Sequence, residues 1–556
     1  MSDTLAPRAG RPAPDPRATR AGGVGPLAGT ATMTRFALRR DRVRLPLWLG
    51  GLTLSTAAAV SSLRTNYADP ADRAGAAETL RSPAGIAMSG PEHYLDRGYD
   101  IGAMTAHQLL GFFALAVGLL AVLTVVRHTR IEEETGRAEL VRSGVLGRHA
   151  QLAAALLVAG GASLLLGLLL AGALAGYAGD GITLGGALLY GAATAGLGLV
   201  FTAVAGVTAQ LTPFSRGATG LGLAVVGAAY ALRAVGDVGP TAVSWLSPIG
   251  WAQRAYPFLD DRWWPLLLHL ALAAGAAGAA FWLSTRRDLN AGLRAPRPGP
   301  RGAGARLATP LGLATRLGRG TLLGFAAGGL LLGTMLGSIL SDAEQMLAEI
   351  EEMARHLALD DASVTDVFTS VGLNILAIVA LAAVVAALLR ARAEETEGRA
   401  EPLLATALSR TAWLGGQLAF ALGGATLVLL IAGLGLGAAG AVSVGDAALL
   451  PELALAALAY APAVWFTGGC ALALYGWFPR AAAAVWAIPG YALAVVFLGE
   501  IMDLPGALRD LSPLGHVPTV PAAPLEWPPL LVLTALAAAL SALGLLGARR
   551  RDLDLR

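Results

Sequence analysis

The residues of this 556-residue chain whose types and spacing suit chemistry are charged, and they come twice. Glu132-Glu133-Glu134-Thr135-Gly136-Arg137-Ala138-Glu139 returns 262 positions later as Glu394-Glu395-Thr396-Glu397-Gly398-Arg399-Ala400-Glu401. Carboxylates and guanidinium groups in this mix fix register and orientation across a polar interface. Gly136 and Gly398 permit close backbone approach or a local break in a helix. Read as one helix, the segment has acids at its start and Arg142 and Arg148, or Arg410, toward its end, which complements the helix dipole. Leu140, Val141, Val145 and Leu146, matched by Leu403, Leu404 and Leu408, add an apolar stripe facing lipid or a partner. Such an element is expected to lie flat on the inner surface of a membrane. An interfacial helix anchoring a loop explains either copy alone, but recurrence in both argues for a paired interaction.

Other chemistry has little support. The seven histidines, His93, His107, His128, His149, His269, His356 and His516, are scattered without metal-ligand spacing. Cys470 is the single cysteine, which excludes a disulfide framework and a cysteine-ligated metal. No Gly-x-Ser-x-Gly elbow is evident. All 41 basic residues are arginine, so the lysine of a GxxxxGK[ST] phosphate loop is missing and the chain is no self-contained ATP motor of that class. The formal charge of +3 carries no nucleic-acid meaning at this size.

The elements that must hold the twin motif follow from composition. Apolar residues make up 55% of the chain, charged residues 14%, and mean hydropathy is +0.60; a soluble domain carries about 25% charged residues. The expectation is an all-α polytopic membrane protein. Apolar blocks near the roughly 20 residues a bilayer requires run at about 45–63, 104–126, 150–176, 183–211, 217–236 and 264–284, then at 320–341, 367–390, 413–441, 450–475, 481–500 and 527–547. Arginines follow the even-numbered spans and precede the first, which by the positive-inside rule places both termini in the cytoplasm. The abundant Gly and Ala suit close helix packing in lipid.

The motif is one part of a wider duplication. Arg148 pairs with Arg410 at the same offset, and Arg216 with Arg480, Ser247-Pro248-Ile249-Gly250 with Ser512-Pro513-Leu514-Gly515, and Arg286-Arg287-Asp288-Leu289 with Arg550-Arg551-Asp552-Leu553 nearly so. The reading is two tandem six-span repeats of one orientation related by a pseudo-two-fold axis. It divides the chain into a disordered cytoplasmic tail (1–32), a first half (33–290), a cytoplasmic linker (291–314) and a second half (315–556). The outer loop 64–100 is expected to hold a short helix near Asp72–Arg81. In 342–366, Met346, Leu347, Ile350, Met353 and Leu357 read as a surface helix or a substrate-gating lid.

The twelve-span duplicated layout, the twin EE-x-x-GR-x-E segments, the SP-x-G elements and the Arg-Arg-Asp-Leu ends resemble actinobacterial ABC exporter permeases of the tetronasin-resistance, polyketide-antibiotic type over residues 33–556. The resemblance implies a type 2 ABC exporter-like fold and export of hydrophobic antibiotics or drugs. It implies no enzymatic activity or cofactor in this chain: ATP and Mg belong to a separately encoded ATPase, of which two copies are the partners. By it, Glu132, Glu133, Glu134, Gly136, Arg137 and Glu139, with Glu394, Glu395, Gly398, Arg399 and Glu401, fall in ATPase-contacting coupling helices. Pro402 replaces Leu140 and Glu397 replaces Thr135, so the two contacts are expected to be unequal.

A proton-coupled secondary drug transporter is the alternative, and it needs protonatable groups near the midplane. Glu500, His107 and His269 are the candidates, each read more readily as an interfacial or satisfied residue. For the path of a hydrophobic small molecule, Phe112, Phe113, Asn374, Arg233, Trp486 and Tyr491 could line an apolar cavity, although packing or lipid contact accounts for them as well. Trp245, Trp251, Trp263 and Trp264 read as an outer interfacial belt.

Overall fold

The computed structural model describes residues 25–142, 146–288, 291–293, 301–302, 304–341, 364–498 and 505–552, in two compact units, Met1–Arg297 and Pro298–Arg556. Among the described residues no strand forms; an isolated bridge joins Gly179 and Ile182. Among the described residues eleven helices are long and apolar enough to cross a membrane, or twelve if a bent pair counts as one span. The chain is an all-helical polytopic membrane protein.

In the first unit the bent pair is α1 (Thr30–Arg40) and α2 (Arg44–Asn66), meeting at 66°. Before the expected boundary at 33, the carbonyls of Pro26 and Ala28 accept from the amides of His149 and Gly147. The expected outer helix is α3 (Pro70–Leu80), started by Asp69, which accepts from the Ala71 amide, and by Pro70 in its first turn. Then come α4 (Ile101–His128), a single turn α5 (Arg130–Glu134), α6 (Arg137–Arg142), α7 (Ala150–Ala175), α8 (Leu184–Leu211) and α9 (Ser215–Val238). The short α10 (Pro248–Gln253) and the span α11 (Pro265–Ser284) complete the unit. Its core depends on small residues. A Cβ built on Gly191 of α8 would lie 2.2 Å from the carbonyl oxygen of Gly167 on α7, so the two backbones touch.

The second unit begins with α12 (Pro310–Gly337), about ten residues before the span expected at 320 and inside the expected linker. The Thr309 hydroxyl accepts from Gly312 and Pro310 sits in the first turn, a start signal that hydropathy does not register. α13 (Val364–Thr396), the five-residue α14 (Ala400–Leu404) and α15 (Arg410–Val444) follow. The span expected at 450–475 is interrupted into α16 (Leu449–Leu458) and α17 (Ala461–Trp477). Pro462 is the cause: it lacks an N–H and fits only the first turn of a new helix. The next span starts as a 3-10 stretch, Pro479–Trp486, before α18 (Ala487–Leu498), and α19 (Trp527–Arg550) ends the unit. The stripe and His356 within 342–363, and Glu500, lie outside the described residues.

Candidate functional site

The acidic motif is not the single flat helix expected from its composition. In the first unit α4 ends at His128, α5 carries the three glutamates, Gly136 turns the chain at φ +71, and α6 starts at Arg137. In the second, Glu394 and Glu395 belong to the last turn of the span α13, Gly398 turns at φ +72, and α14 follows. Carboxylates at the C-terminal end of a helix oppose its dipole, so cations must compensate them. Each unit supplies those cations internally.

Glu133 is 3% exposed and takes two hydrogen bonds from Arg287, at 2.9 and 2.7 Å, and one from Arg130 at 2.9 Å. Arg287, just beyond α11, is oriented by Gln210, whose amide oxygen lies 2.6 Å from its Nε. Glu132 pairs with Arg40 of α1 and lies 3.9 Å from Arg137. Glu134 accepts from both the amide and the hydroxyl of Ser215 at 2.6 Å.

The second unit repeats the central clamp. Glu395, 2% exposed, takes 2.5 and 2.7 Å bonds from Arg551, beyond α19, and a bond from the Tyr475 hydroxyl. Burial lowers the pKa of the Arg551 guanidinium, but Glu395 and the neighbouring Tyr475 outweigh it and hold it above the ordinary value. Arg410 donates to the Arg551 carbonyl at 2.5 Å, as Arg148 does to Thr285 at 3.4 Å. Those two arginines therefore tie to the end of the last span instead of closing the motif helix. Glu394 is held by Arg399 at 2.7 Å, which also pairs with Glu397. The apolar stripe turns inward here too: Leu404 and Leu408 pack on the cluster containing Trp413 and Tyr475. Leu140, Val141 and Val145 have no described side chains.

Of the eleven residues expected at a partner surface, Glu132, Glu133, Glu394 and Glu395 are thus buried within their own units. The exposed charged residues of the two motifs are Glu134, Arg137, 57% exposed, Glu139, Glu397, Arg399, 47% exposed, and Glu401. Sequence reasoning missed the clamp residues Arg130, Arg287, Arg551 and Tyr475. A signal existed: the Arg-Arg-Asp-Leu ends are duplicated in step with the acidic motif, at the same membrane side.

The two turn glycines make a direct prediction. A Cβ at Gly136 or Gly398 meets nothing within 4 Å, so only backbone conformation is at stake. Alanine at either is expected to cost about 1–2 kcal/mol, since an L-residue resists the left-handed region. Thermal unfolding of the purified protein in detergent measures it, and asparagine, which tolerates that region, should recover part of the loss.

Of the six expected cavity residues, Phe112, Phe113 and Arg233 belong to the first unit and Asn374, Trp486 and Tyr491 to the second. Phe112 is exposed and Phe113 half-buried in the first unit; Trp486 is exposed and Tyr491 donates to the Leu508 carbonyl at 2.7 Å in the second. Asn374 donates to Ser370 and to the Tyr460 hydroxyl, both at 3.1 Å. Arg233 is fully buried, donates to the carbonyls of Ala87 and Met88 at 2.9 and 3.3 Å, and lies 3.8 Å from Asp237. It staples the loop carrying Ala87 and Met88 onto α9. None of the six borders the 180 Å³ polar cavity beside Glu133 and Arg287 or the 650 Å³ apolar cavity of the second unit. Trp245 stacks on Trp264 at 5.2 Å, and Trp263 and Trp264 are exposed. His269 sits 3.2 and 3.0 Å from the carbonyls of Pro265 and Pro248, so whichever ring nitrogen carries the proton has an acceptor.

The sequence matches the family described as Multidrug efflux system permease Rv1217c, C-terminal domain, over residues 31–283 and 307–549. It is also 41% identical over 562 residues to the multidrug efflux system permease protein Rv1217c of Mycobacterium tuberculosis (strain ATCC 25618 / H37Rv), a match covering 99% of this chain and 100% of the relative.

Proposed function

The chain belongs to the multidrug efflux system permease family, and from that premise we propose that it is the membrane-spanning permease of a drug exporter driven by a separate ABC ATPase. In this reading it is a tandem pair of six-span repeats of the tetronasin-resistance type in the bacterial plasma membrane. Both termini are cytoplasmic, and one chain meets two ATPase subunits. ATP and Mg stay on those subunits, and hydrophobic small molecules are the cargo.

The observation that carries the proposal is the doubled turn. Each unit ends a membrane-spanning stretch in an acidic pair, turns on a left-handed glycine, and locks the second glutamate to an arginine that follows its final span. A push on the turn is therefore transmitted directly to two membrane-spanning stretches of the same unit, while Arg137, Glu139, Glu397, Arg399 and Glu401 face outward for a partner. Rim charges of this sort set orientation and encounter. The buried pairs transmit and the exposed ones receive.

The test separates those roles. Glu139→Arg with Glu401→Arg is expected to reduce ATP-dependent transport about tenfold in sealed vesicles containing the ATPase, with the thermal midpoint unchanged. Full transport in that double variant would remove the coupling role of these turns. The same vesicles with a collapsed proton gradient should still transport when ATP is supplied; dependence on the gradient alone would favour proton coupling.

A further inference from the structure

The second unit contains an apolar cavity of about 650 Å³, within the usual range for small-molecule sites. It opens where Pro462 breaks the tenth span, between that break, the segment around Val520 and Pro521, and the start of α19. Its walls include Leu455, Trp465, Trp527 and Leu531, and the single charged residue in the lining is Glu452. No ion pair involves Glu452 among the described residues, and no basic side chain shares the lining.

At the corresponding place in the first unit, aromatic rings pack against the equivalent span. The offset of 265 that relates the two Ser-Pro segments sets Tyr256 and Phe258 against Pro521 and Ala523. Phe258 packs so tightly on α8 that a Cβ on Gly186 would lie 2.3 Å from its ring, and it faces Tyr190 at 6.3 Å. Losing two aromatic rings leaves room for a ligand in the second unit.

Resting on the permease reading above, we infer that this cavity is a binding site for lipophilic monocations, entered from the lipid at the outer end of the second unit. Aromatic walls accept a bulky delocalised cation through its apolar surface and ring faces. The lone carboxylate, in the first turn of α16 at the water-lipid boundary, supplies the counter-charge. A neutral molecule gains nothing from Glu452, and an anion is repelled.

Tetraphenylphosphonium and tetraphenylborate share shape and differ in sign, so they form the test. The purified full chain in zwitterionic nanodiscs is expected to bind tetraphenylphosphonium well above empty discs and tetraphenylborate not at all. Glu452→Gln should weaken cation binding about tenfold, the size of one charge contact of roughly 1.4 kcal/mol. Leu455→Trp, at a position 66% exposed where folding tolerates bulk, should reduce it without moving the thermal midpoint. Equal binding of the borate, or an unaffected Glu452→Gln, overturns the site. So does native mass spectrometry showing a phospholipid that tetraphenylphosphonium does not displace. Transport in cells carrying the ATPase separates the two claims. Glu452-dependent binding without export sinks the efflux reading and leaves the site, whereas export undiminished in Glu452→Gln sinks the site and leaves the efflux reading.

Discussion

Arg287→Ala, or its counterpart Arg551→Ala, is expected to destabilise its unit by about 3–5 kcal/mol, the usual consequence of stranding one member of a buried ion pair. The size follows from burial: Glu133 and Glu395 are 3% and 2% exposed, and each takes two hydrogen bonds from the arginine that would be lost. Against a total stability of about 5–15 kcal/mol, the loss should appear as a large fall in thermal midpoint and in folded yield by size-exclusion chromatography in detergent. Combining Arg287→Ala with Glu133→Gln removes the stranded charge and should recover part of the loss. Arg137→Ala, which removes an exposed guanidinium 3.9 Å from Glu132, should cost less than about 1 kcal/mol. Midpoints that match for Arg287→Ala and Arg137→Ala would show that the clamp does not hold the unit together. By the same reasoning, reversing charge at Glu133 and Glu395 is expected to abolish folding, because these carboxylates are part of the interior.

How far the sequence could be read is visible at particular residues. Span positions were legible because hydropathy in a bilayer leaves few options: blocks at 183–211 and 527–547 correspond to helices Leu184–Leu211 and Trp527–Arg550. The outer helix near Asp72 was legible through its Asp69 cap and Pro70. Helix starts set by side chains inside a polar stretch, such as Thr309-Pro310, were not, since hydropathy averages over them. Nor was the break before Pro462, in a run otherwise apolar enough to span. At the site, the glycine breaks at 136 and 398 followed from residue type. The inward direction of the glutamates did not. An acidic run in a loop usually faces water, and only the position of Arg287 and Arg551, 154 and 156 residues away in the chain, decides otherwise. Long-range pairing is a tertiary fact, and the co-duplication of the two motifs was its one trace in the sequence.

Gly333→Leu is expected to be as damaging as the loss of a clamp, at or above about 3 kcal/mol, and for a steric reason. Gly329, Gly333 and Gly337 recur every four residues on the face of α12 that meets α15. A Cβ at Gly333 would lie 2.2 Å from the carbonyl oxygen of Ala432, and one at Gly337 would lie 2.2 Å from that of Leu436. From the other side, Gly435 of α15 would meet the Leu330 carbonyl at 2.6 Å. Backbone atoms on neighbouring helices cannot rotate away as a side chain can, so the helices must separate along their length. Overpacking costs about 1–3 kcal/mol where side chains can adjust, and here the obstacle is rigid. In lipid no hydrophobic force draws separated helices back, because acyl chains solvate them equally well. The control lies on the same helix. Gly324 has nothing within 4 Å of its Cβ position, so Gly324→Leu meets no obstacle and gains helix propensity of about 0.5–1 kcal/mol. The two substitutions make the same chemical change and should move the thermal midpoint in opposite directions. If they move it alike, glycine's backbone freedom, and not contact between α12 and α15, governs this helix.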